Sequence, residues 1–493
     1  MGLSLIILAI ASATELLIWL PGFWWAKIYL SSLTILSLVA SSGILLAAYS
    51  TPWTLLVIAF SFYRIFDLLR LNKGRMQLKY LYHVTLKTSL VLIACQSVVI
   101  SAWWITTYWN LPAHWQMVSL LLAQLVLDLA LMLSTLRHLR TTREPKISQA
   151  YADRDLPNLT VAIPARNETD ELRACLETLL VNDYPKLEIL VLDDCSQNAK
   201  TSEIIRSYAH AGVRFVAGSE PEANWLAKNW GYQKLSDEAN GELILFCGVD
   251  IRFEADSLRK LISTLLEKQK TMLSIMPRNV VQGPLALIQP MRYAWELALP
   301  RRLFRRPPVL STCWLIKESL LQSSGGFKAV SRSITPESYF ARMSAADDGY
   351  SFVRSNAVSS HKSFAEQKAT AIRMRYPQLH RRPEMVALVA LAEFIGLFSP
   401  FAVFVISTLN QLWLFSLISG LSCLLLTTAY GVVSYMTYQK FLIQSLVALP
   451  VALLVDIALL HYSMWKYEFS EVIWKDRNVC IPVMRVIPNL PKL

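Results

Sequence analysis

Four carboxylates sit just past short apolar runs in the middle of this chain. Leu159 to Pro164 is followed by Glu168, Leu187 to Leu192 by Asp193 and Asp194, and Leu243 to Cys247 by Asp250. Helical patterns separate the runs. One begins near Glu171, with Leu172, Leu176, Leu179 and Leu180 on one side. A second covers Ala199 to His210 and precedes the short run Val213 to Val216. Strands alternating with helices predict an α/β unit with a largely parallel sheet. Ligands in such sheets bind outside the carboxyl ends of the strands, which is where these carboxylates fall. Singly, a carboxylate after a strand is more often a helix cap or turn residue. Their joint order along the chain is the more specific signal.

The surroundings of this unit follow from composition. The chain has 493 residues, 54% of them hydrophobic and 17% charged, against about 25% charged in a typical soluble domain. That balance excludes a disordered, collagen-like or small disulfide-stapled protein. The apolar excess lies at the two ends, and a run of about 18 or more apolar residues is long enough to cross a bilayer as a helix. Spans are predicted near 3–20, 28–49, 51–70, 84–107 and 115–136, and again near 385–408, 411–431 and 441–462. The predicted domains are a transmembrane block over 1–143, a soluble domain over 144–383, a second transmembrane block over 384–463 and a tail over 464–493.

Lys and Arg set the expected orientation. Lys73, Arg75 and Lys79 follow the third span, and Arg137, Arg140 and Arg143 follow the fifth. The positive-inside rule puts both groups, and with them the central domain, in the cytoplasm. The tail cations Lys466, Lys475, Arg477, Arg485 and Lys492 would then face outward if all eight or so spans cross, so one C-terminal segment, such as that interrupted by Pro400, is expected to be interfacial or re-entrant. No positive region precedes the first apolar run, so a retained span is expected there rather than a cleaved signal. The seven Cys form no paired or zinc-like spacing and suit a reducing compartment. The net charge of +12 fits cytoplasmic flanks near anionic lipid, and no nucleic-acid motif accompanies it. Glu15, Asp128, Glu393 and Asp456 fall inside predicted spans, and Arg64 and Asp67 are spaced to pair on one helix face. Such charges mark a transport path or lipid cavity, or simply hold helices together. Arg301, Arg302, Arg305 and Arg306 flank Leu303 and Phe304 after an apolar stretch. They predict an interfacial helix near 285–306.

Further pieces recur in a fixed order: IPARNE (163–168), LDDCS (192–196), NWLAKNWG (224–231), ANGELILFCGVD (239–250), SSGGF (323–327) and TPESYFAR (335–342). As an ordered set they resemble a family 2 glycosyltransferase domain with the GT-A fold, over roughly 158–383. The tail EVIWKDRN (471–478) resembles a short post-membrane motif of membrane-bound members. The resemblance implies a Rossmann-like α/β GT-A domain between two α-helical transmembrane blocks. It implies a nucleotide-sugar donor, contacted by Ala165 and Glu168 from the first strand, by Asp193 or Asp194 at base or ribose, and by Lys228 near phosphate or base.

Asp250 carries the implied metal role. The family pattern is Asp-x-Asp, and here it reads Gly248-Val249-Asp250. Mg²⁺ or Mn²⁺ would bridge the pyrophosphate, and one or two protein carboxylates can suffice for it. The implied general base falls at Glu337, in Pro336-Glu337 where the family has Glu-Asp. A Glu just after Pro at a helix start is also an ordinary N-terminal residue. Asp347 and Asp348 are nearby alternatives, in an expected loop before Gly349. Arg373 and Arg375 fall where processive members carry Gln/Arg-x-x-Arg-Trp, but Ile372 and Tyr376 depart from that pattern. The two arginines could meet phosphate or form a juxtamembrane basic face.

The expected activity is transfer of a sugar, with inversion, from a nucleotide-sugar donor to a lipid or lipid-linked acceptor. The expected setting is the cytoplasmic face of the inner membrane, in a multi-pass cell-envelope enzyme. NWLAKNWG resembles members acting on apolar lipids such as carotenoids, hopanoids or ceramide. The alternatives are a processive polysaccharide synthase, a non-catalytic nucleotide-binding protein on a decayed domain (motivated by Gly248 and Pro336), and, from span count and intramembrane acids alone, a transporter.

Overall fold

A computed structural model describes the chain apart from residues 1, 21–22, 24–25, 49–51, 73–77, 109–112, 144–150, 281–296, 298–306, 439–441, 476 and 479–493. The expected interfacial helix near 285–306, with its four arginines, lies almost wholly outside the described residues. So do Lys73, Arg75, Arg485 and Lys492. The chain divides into two compact units. One comprises 1–124, 375–419 and 457–470; the other comprises 125–374, 420–456 and 471–493.

The second unit holds the sheet. Its strands are β1 (Leu159–Ala165), β2 (Leu187–Asp193), β3 (Val213–Ala217), β4 (Leu243–Cys247), β5 (Ile251–Phe253), β6 (Met272–Asn279), β7 (Cys313–Lys317) and β8 (Tyr350–Ser360), in the order β3-β2-β1-β4-β7-β6-β8-β5. Strands β3, β2, β1 and β4 run parallel, as the alternating sequence pattern predicts. β7 is antiparallel to both β4 and β6, so the sheet is mixed. From β1 the chain steps outward to β2 and β3 and then returns to place β4 on the other side of β1. The carboxyl ends of β1 and β4 therefore flank a topological switch point, the crevice where such sheets bind ligands.

Strict alternation of side chains splits the core in two. Val161, Ile163, Ile189, Val191, Leu245 and Leu315 face one way, against Leu172, Leu176, Leu261 and Leu265. Ala162, Leu190, Leu192, Ile244, Phe246 and Trp314 face the other, against Leu235, Leu321 and Phe340. Both faces of the central strands are buried, which is why these strands read as near-continuous apolar runs rather than alternating ones. After the five helices α1 (Gly2–Ile18), α2 (Lys27–Ala48), α3 (Pro52–Asn72), α4 (Leu78–Tyr108) and α5 (Ala113–Thr141), the helices of the first face are α6 (Asp170–Leu180) and α9 (Ser257–Glu267); those of the second are α8 (Ala227–Glu238), α10 (Glu318–Ser323) and α11 (Pro336–Ala346). Phe246 and Trp314 stack at 4.5 Å across the β4–β7 pair. Truncating a fully buried Leu in either layer costs about 2–5 kcal/mol. Local chemistry sets the helix ends. Asn198 caps α7 (Ala199–Ser207) by accepting from the Lys200 N–H at 2.9 Å, and Pro336 starts α11 with its φ already fixed.

Six helical segments among the described residues are long and apolar enough to cross a membrane: Lys27–Ala48, Leu86–Trp104, Leu120–Thr141, Pro383–Leu409, Trp413–Tyr438 and Val447–Phe469. The chain is thus a membrane protein with helical spans before and after the sheet domain. The helix at Gly2–Ile18 is apolar but shorter. The helix Pro52–Asn72, expected as a span, carries Arg64, Asp67 and Arg70 and is not among the six. The segment with Pro400 is one of the six, continuous through a π-helical turn at Phe394–Phe398 that absorbs the irregularity.

The first unit corrects one expectation. Arg64 does not pair with Asp67. Its Nη2 lies 2.8 Å from Glu15 Oε2, its Nη1 donates to Gln96 Oε1 at 2.6 Å, and Asp67 pairs with Arg70 at 3.4 Å. Arg64 and Glu15 are each 1% exposed. An (i, i+3) pair would offer one carboxylate, whereas the observed arrangement gives the buried guanidinium partners on two other helices, Glu15 and Ser12 on one and Gln96 on the other. Arg70 also reaches Glu468 at 2.9 Å.

Candidate active site

The expected carboxylates converge at the carboxyl ends of β1, β2 and β4. Beyond β1, Arg166 is buried and its guanidinium stitches two loops together. Nη1 donates to the carbonyls of Asp194 and Cys195 at 2.6 and 2.7 Å. Asn167 takes a positive φ of 50°, which lets its Oδ1 accept the Gln197 N–H at 2.9 Å while its own N–H meets Ser196 Oγ at 2.9 Å. Ala165 lies at the last strand position, its carbonyl accepting Asp194 N–H at 2.8 Å. These contacts fix the two carboxylate-bearing turns as one body.

Asp193 and Asp194 differ in their surroundings. Asp193 is partly accessible, and its Oδ1 accepts the Ser196 N–H at 3.0 Å. Its carbonyl accepts the Gly218 N–H at 2.9 Å. A Cβ on Gly218 would overlap that carbonyl oxygen, so only glycine lets β3 leave the sheet here. Asp194 is buried, and both its oxygens take Nη1 of Arg477, at 2.8 and 2.9 Å. Burial pushes the Asp194 carboxyl up, against the pull of Arg477.

Asp250 lies in the turn between β4 and β5. Ser360 Oγ donates to its Oδ2 at 2.6 Å, and Lys362 Nζ stands 3.6 Å from Oδ1. His361 follows Ser360, its N–H donating to the Asp250 carbonyl at 2.9 Å. A Cβ on Gly248 would come within 2.6 Å of Asp250 Oδ1. The missing first acid of the pattern thus leaves the space into which the remaining carboxylate folds. Among the described residues no three His, Cys, Asp or Glu gather into a metal cluster. A single carboxylate here fits a cation held largely by the ligand's own phosphates and by water, while the His361 Nε2 lies 3.3 Å from Ser359 Oγ. Burial and Arg252 lower the His361 imidazole, which favours its neutral form.

Glu337 lies in the first turn of α11 and is 1% exposed. Its Oε2 is 3.4 Å from Lys228 Nζ, and its Oε1 has no hydrogen-bond partner. Lys228, near the start of α8, also stands 5.3 Å over the Tyr232 ring. Asp347 and Asp348, the alternatives to Glu337, sit in the turn after α11, where Asp348 pairs with Lys270 at 3.0 Å.

Residues 160–324 match the sequence family described as Glycosyl transferase family 2. The match places a family 2 glycosyltransferase domain in the central stretch and covers less than half of the chain. Among its relatives, "Glycosyltransferase AglE" of Haloferax volcanii is 29% identical over 114 residues, covering 22% of this chain and 36% of the relative. "Probable glycosyltransferase YdaM" of Bacillus subtilis is 24% identical over 220 residues, covering 42% and 52%. A "4,4'-diaponeurosporenoate glycosyltransferase" of Staphylococcus aureus is 27% identical over 127 residues, covering 25% and 33%. The chain therefore spans from a third to about half of the length of these relatives. A solved mannosyltransferase from Pyrobaculum calidifontis, in complex with GDP-Man and Mn²⁺, aligns at 20% identity and a TM-score of 0.42, covering 67% of this chain and 98% of its own.

Around this family 2 glycosyltransferase domain, residues that the sequence did not assign to the site stand beside it. Lys362 and His361 arrive beside Asp250 from the end of β8. Lys475 forms an ion pair with Glu168, and Arg477 holds Asp194 and reaches Glu220 at 3.1 Å. Both belong to a short hairpin, β9 (Ile473–Trp474) and β10 (Arg477–Asn478). The tail motif named its residues but gave no signal of where the hairpin docks. The two expected arginines separate. The Arg373 guanidinium lies 5.2 Å over the Trp474 ring, while Arg375 pairs with Glu393 at 3.5 Å.

Proposed function

We propose that this protein transfers a sugar, with inversion, from a nucleotide-sugar donor to a lipid or lipid-linked acceptor, with its catalytic domain on the cytoplasmic side of the inner membrane. The observation that carries this reading is Glu337, a buried carboxylate with one uncommitted oxygen, set opposite Lys228 in a family 2 glycosyltransferase domain with spans on both sides. Asp193, the more accessible of the adjacent pair, accepts a hydrogen bond from base or ribose. Lys228 meets the departing diphosphate. Glu337 takes the proton of the acceptor hydroxyl. The new bond forms from acceptor oxygen to anomeric carbon, and the bond from that carbon to the diphosphate oxygen breaks with its electron pair going to the diphosphate. A proton acceptor placed this way contributes about 10²–10⁴-fold. Asp250 would hold Mg²⁺ or Mn²⁺, which would supply neutralisation of charge on the diphosphate.

The spans before and after the domain support an acceptor delivered by the membrane, and the staphylococcal relative is named for 4,4'-diaponeurosporenoate. The departures at Ile372 and Tyr376, with Arg375 committed to Glu393, favour single transfer over processive synthesis. The test is donor turnover by the purified full chain with Mn²⁺ and a panel of UDP- and GDP-sugars, followed by mass spectrometry of lipids from cells with and without the active protein. No turnover, or turnover undiminished in Asp250→Ala, sinks the assignment. A non-catalytic nucleotide-binding role, favoured by Gly248 and Pro336, would show as binding without turnover that Glu337→Gln leaves unchanged.

A further inference from the structure

The carboxyl ends of β3, β2, β1 and β4 present an arrangement hostile to an anion. Glu220, Asp193, Asp194, Glu168 and Asp250 all follow neighbouring strands. A nucleoside diphosphate brings further negative charge to the same place. Like charges sharing a low-dielectric site disfavour each other strongly.

The tail hairpin answers this charge. Lys475 takes a positive φ of 47° at its turn, and its ammonium pairs with Glu168. Arg477 spans both Asp194 oxygens with Nη1 and reaches Glu220 with Nη2. The hairpin is fixed from below, since Arg166 Nε donates to the Lys475 carbonyl at 3.0 Å. It is fixed from the side by Arg373 over the Trp474 ring. The guanidinium thus bridges two carboxylates, and such charge-assisted hydrogen bonds are stronger than neutral ones.

We infer that Trp474, Lys475 and Arg477 are a built-in part of the donor site, and that the two cations cancel the strand-end carboxylates so that a nucleoside diphosphate can enter. This rests on the glycosyltransferase reading above and deepens it. Lys475 and Arg477 are positioning residues: they act through Glu168 and Asp194 and form or break no bond of the donor. Their contribution is to the charged part of the ligand, so it separates from any role in shaping the base pocket.

The experiment measures binding of UDP and GDP, and of uridine and guanosine, to the full chain in detergent by equilibrium dialysis. Expected is binding of at least one diphosphate, weakened about tenfold or more by Arg477→Ala. The matching nucleoside should change far less, and Arg477→Lys should recover part of the loss. If Arg477→Ala does not fold, Lys475→Gln carries the same comparison. Unchanged diphosphate binding in both variants overturns the inference and leaves the glycosyltransferase reading standing. Equal loss for nucleoside and diphosphate overturns it by making the hairpin a scaffold of the base pocket. Tighter binding in the variants overturns it by making the hairpin a plug. No diphosphate binding by the unaltered chain overturns both readings together.

Discussion

Lys228 Nζ stands 3.4 Å from Glu337 Oε2, while Glu337 Oε1 is buried and has no hydrogen-bond partner. An uncompensated buried acceptor costs about 1–3 kcal/mol, and such a cost persists at sites where a substrate supplies the missing donor. The acceptor hydroxyl would be that donor. Glu337→Gln keeps the shape and removes the basicity. Sugar transfer should fall by about 10²–10⁴-fold, while nucleotide diphosphate affinity stays within about twofold. Single-turnover rates and dialysis on the same preparation check both halves.

Gly248 and Asp250 share one space. In Gly248→Asp, which restores the family's pair of acids, the new Cβ falls 2.6 Å from Asp250 Oδ1. Asp250 must then leave Ser360 and Lys362. The variant should lose turnover at low Mn²⁺ rather than gain it. A Mn²⁺ titration of donor hydrolysis reads this out, and improved turnover at low metal would contradict the geometry.

Gly218→Ala tests a backbone constraint. The added methyl would overlap the Asp193 carbonyl oxygen, which is fixed in the sheet. Destabilisation of about 1–3 kcal/mol or more is expected, read as a lowered unfolding temperature in detergent. A neutral outcome would mean that the turn between β3 and α8 relaxes freely.

Lys475 gives a pH dependence. Burial pulls its ammonium down to about 8 from an ordinary value of 10.5. The groups around it are Glu168, the Arg166 guanidinium on its carbonyl, and the Trp474 ring. An anionic ligand favours the protonated form, so diphosphate affinity should be full below about pH 8 and decline as pH rises through it. Lys475→Arg stays charged and should flatten the profile. Affinity that rises above pH 8 in the unaltered chain would contradict this sign.

In the helical unit, Arg64→Met leaves Glu15 buried without its cation. Breaking one side of a buried pair costs about 3–5 kcal/mol. The Glu15→Gln, Arg64→Met double variant should recover much of that loss. Thermal stability of the four proteins in one detergent measures the coupling.

The sheet's first four strands were legible because period and length suffice to mark buried parallel strands. The acids at their ends were legible because each follows a strand directly. Local sequence could also place Glu337, since Pro336 announces a helix start. It could not show that Arg64 chooses Glu15 over Asp67, because that choice depends on which helices pack around the guanidinium. Nor could it bring Lys362 to Asp250, or Lys475 and Arg477 to Glu168 and Asp194, across separations of 112, 307 and 283 residues. Sequence alone determined that apolar helices lie before and after an α/β domain, and the identity of its strand-end acids, for these follow from composition and short-range periodicity. Only the tertiary structure decided which cations answer those acids, because ion pairing across distant segments is fixed by where the chain returns in space.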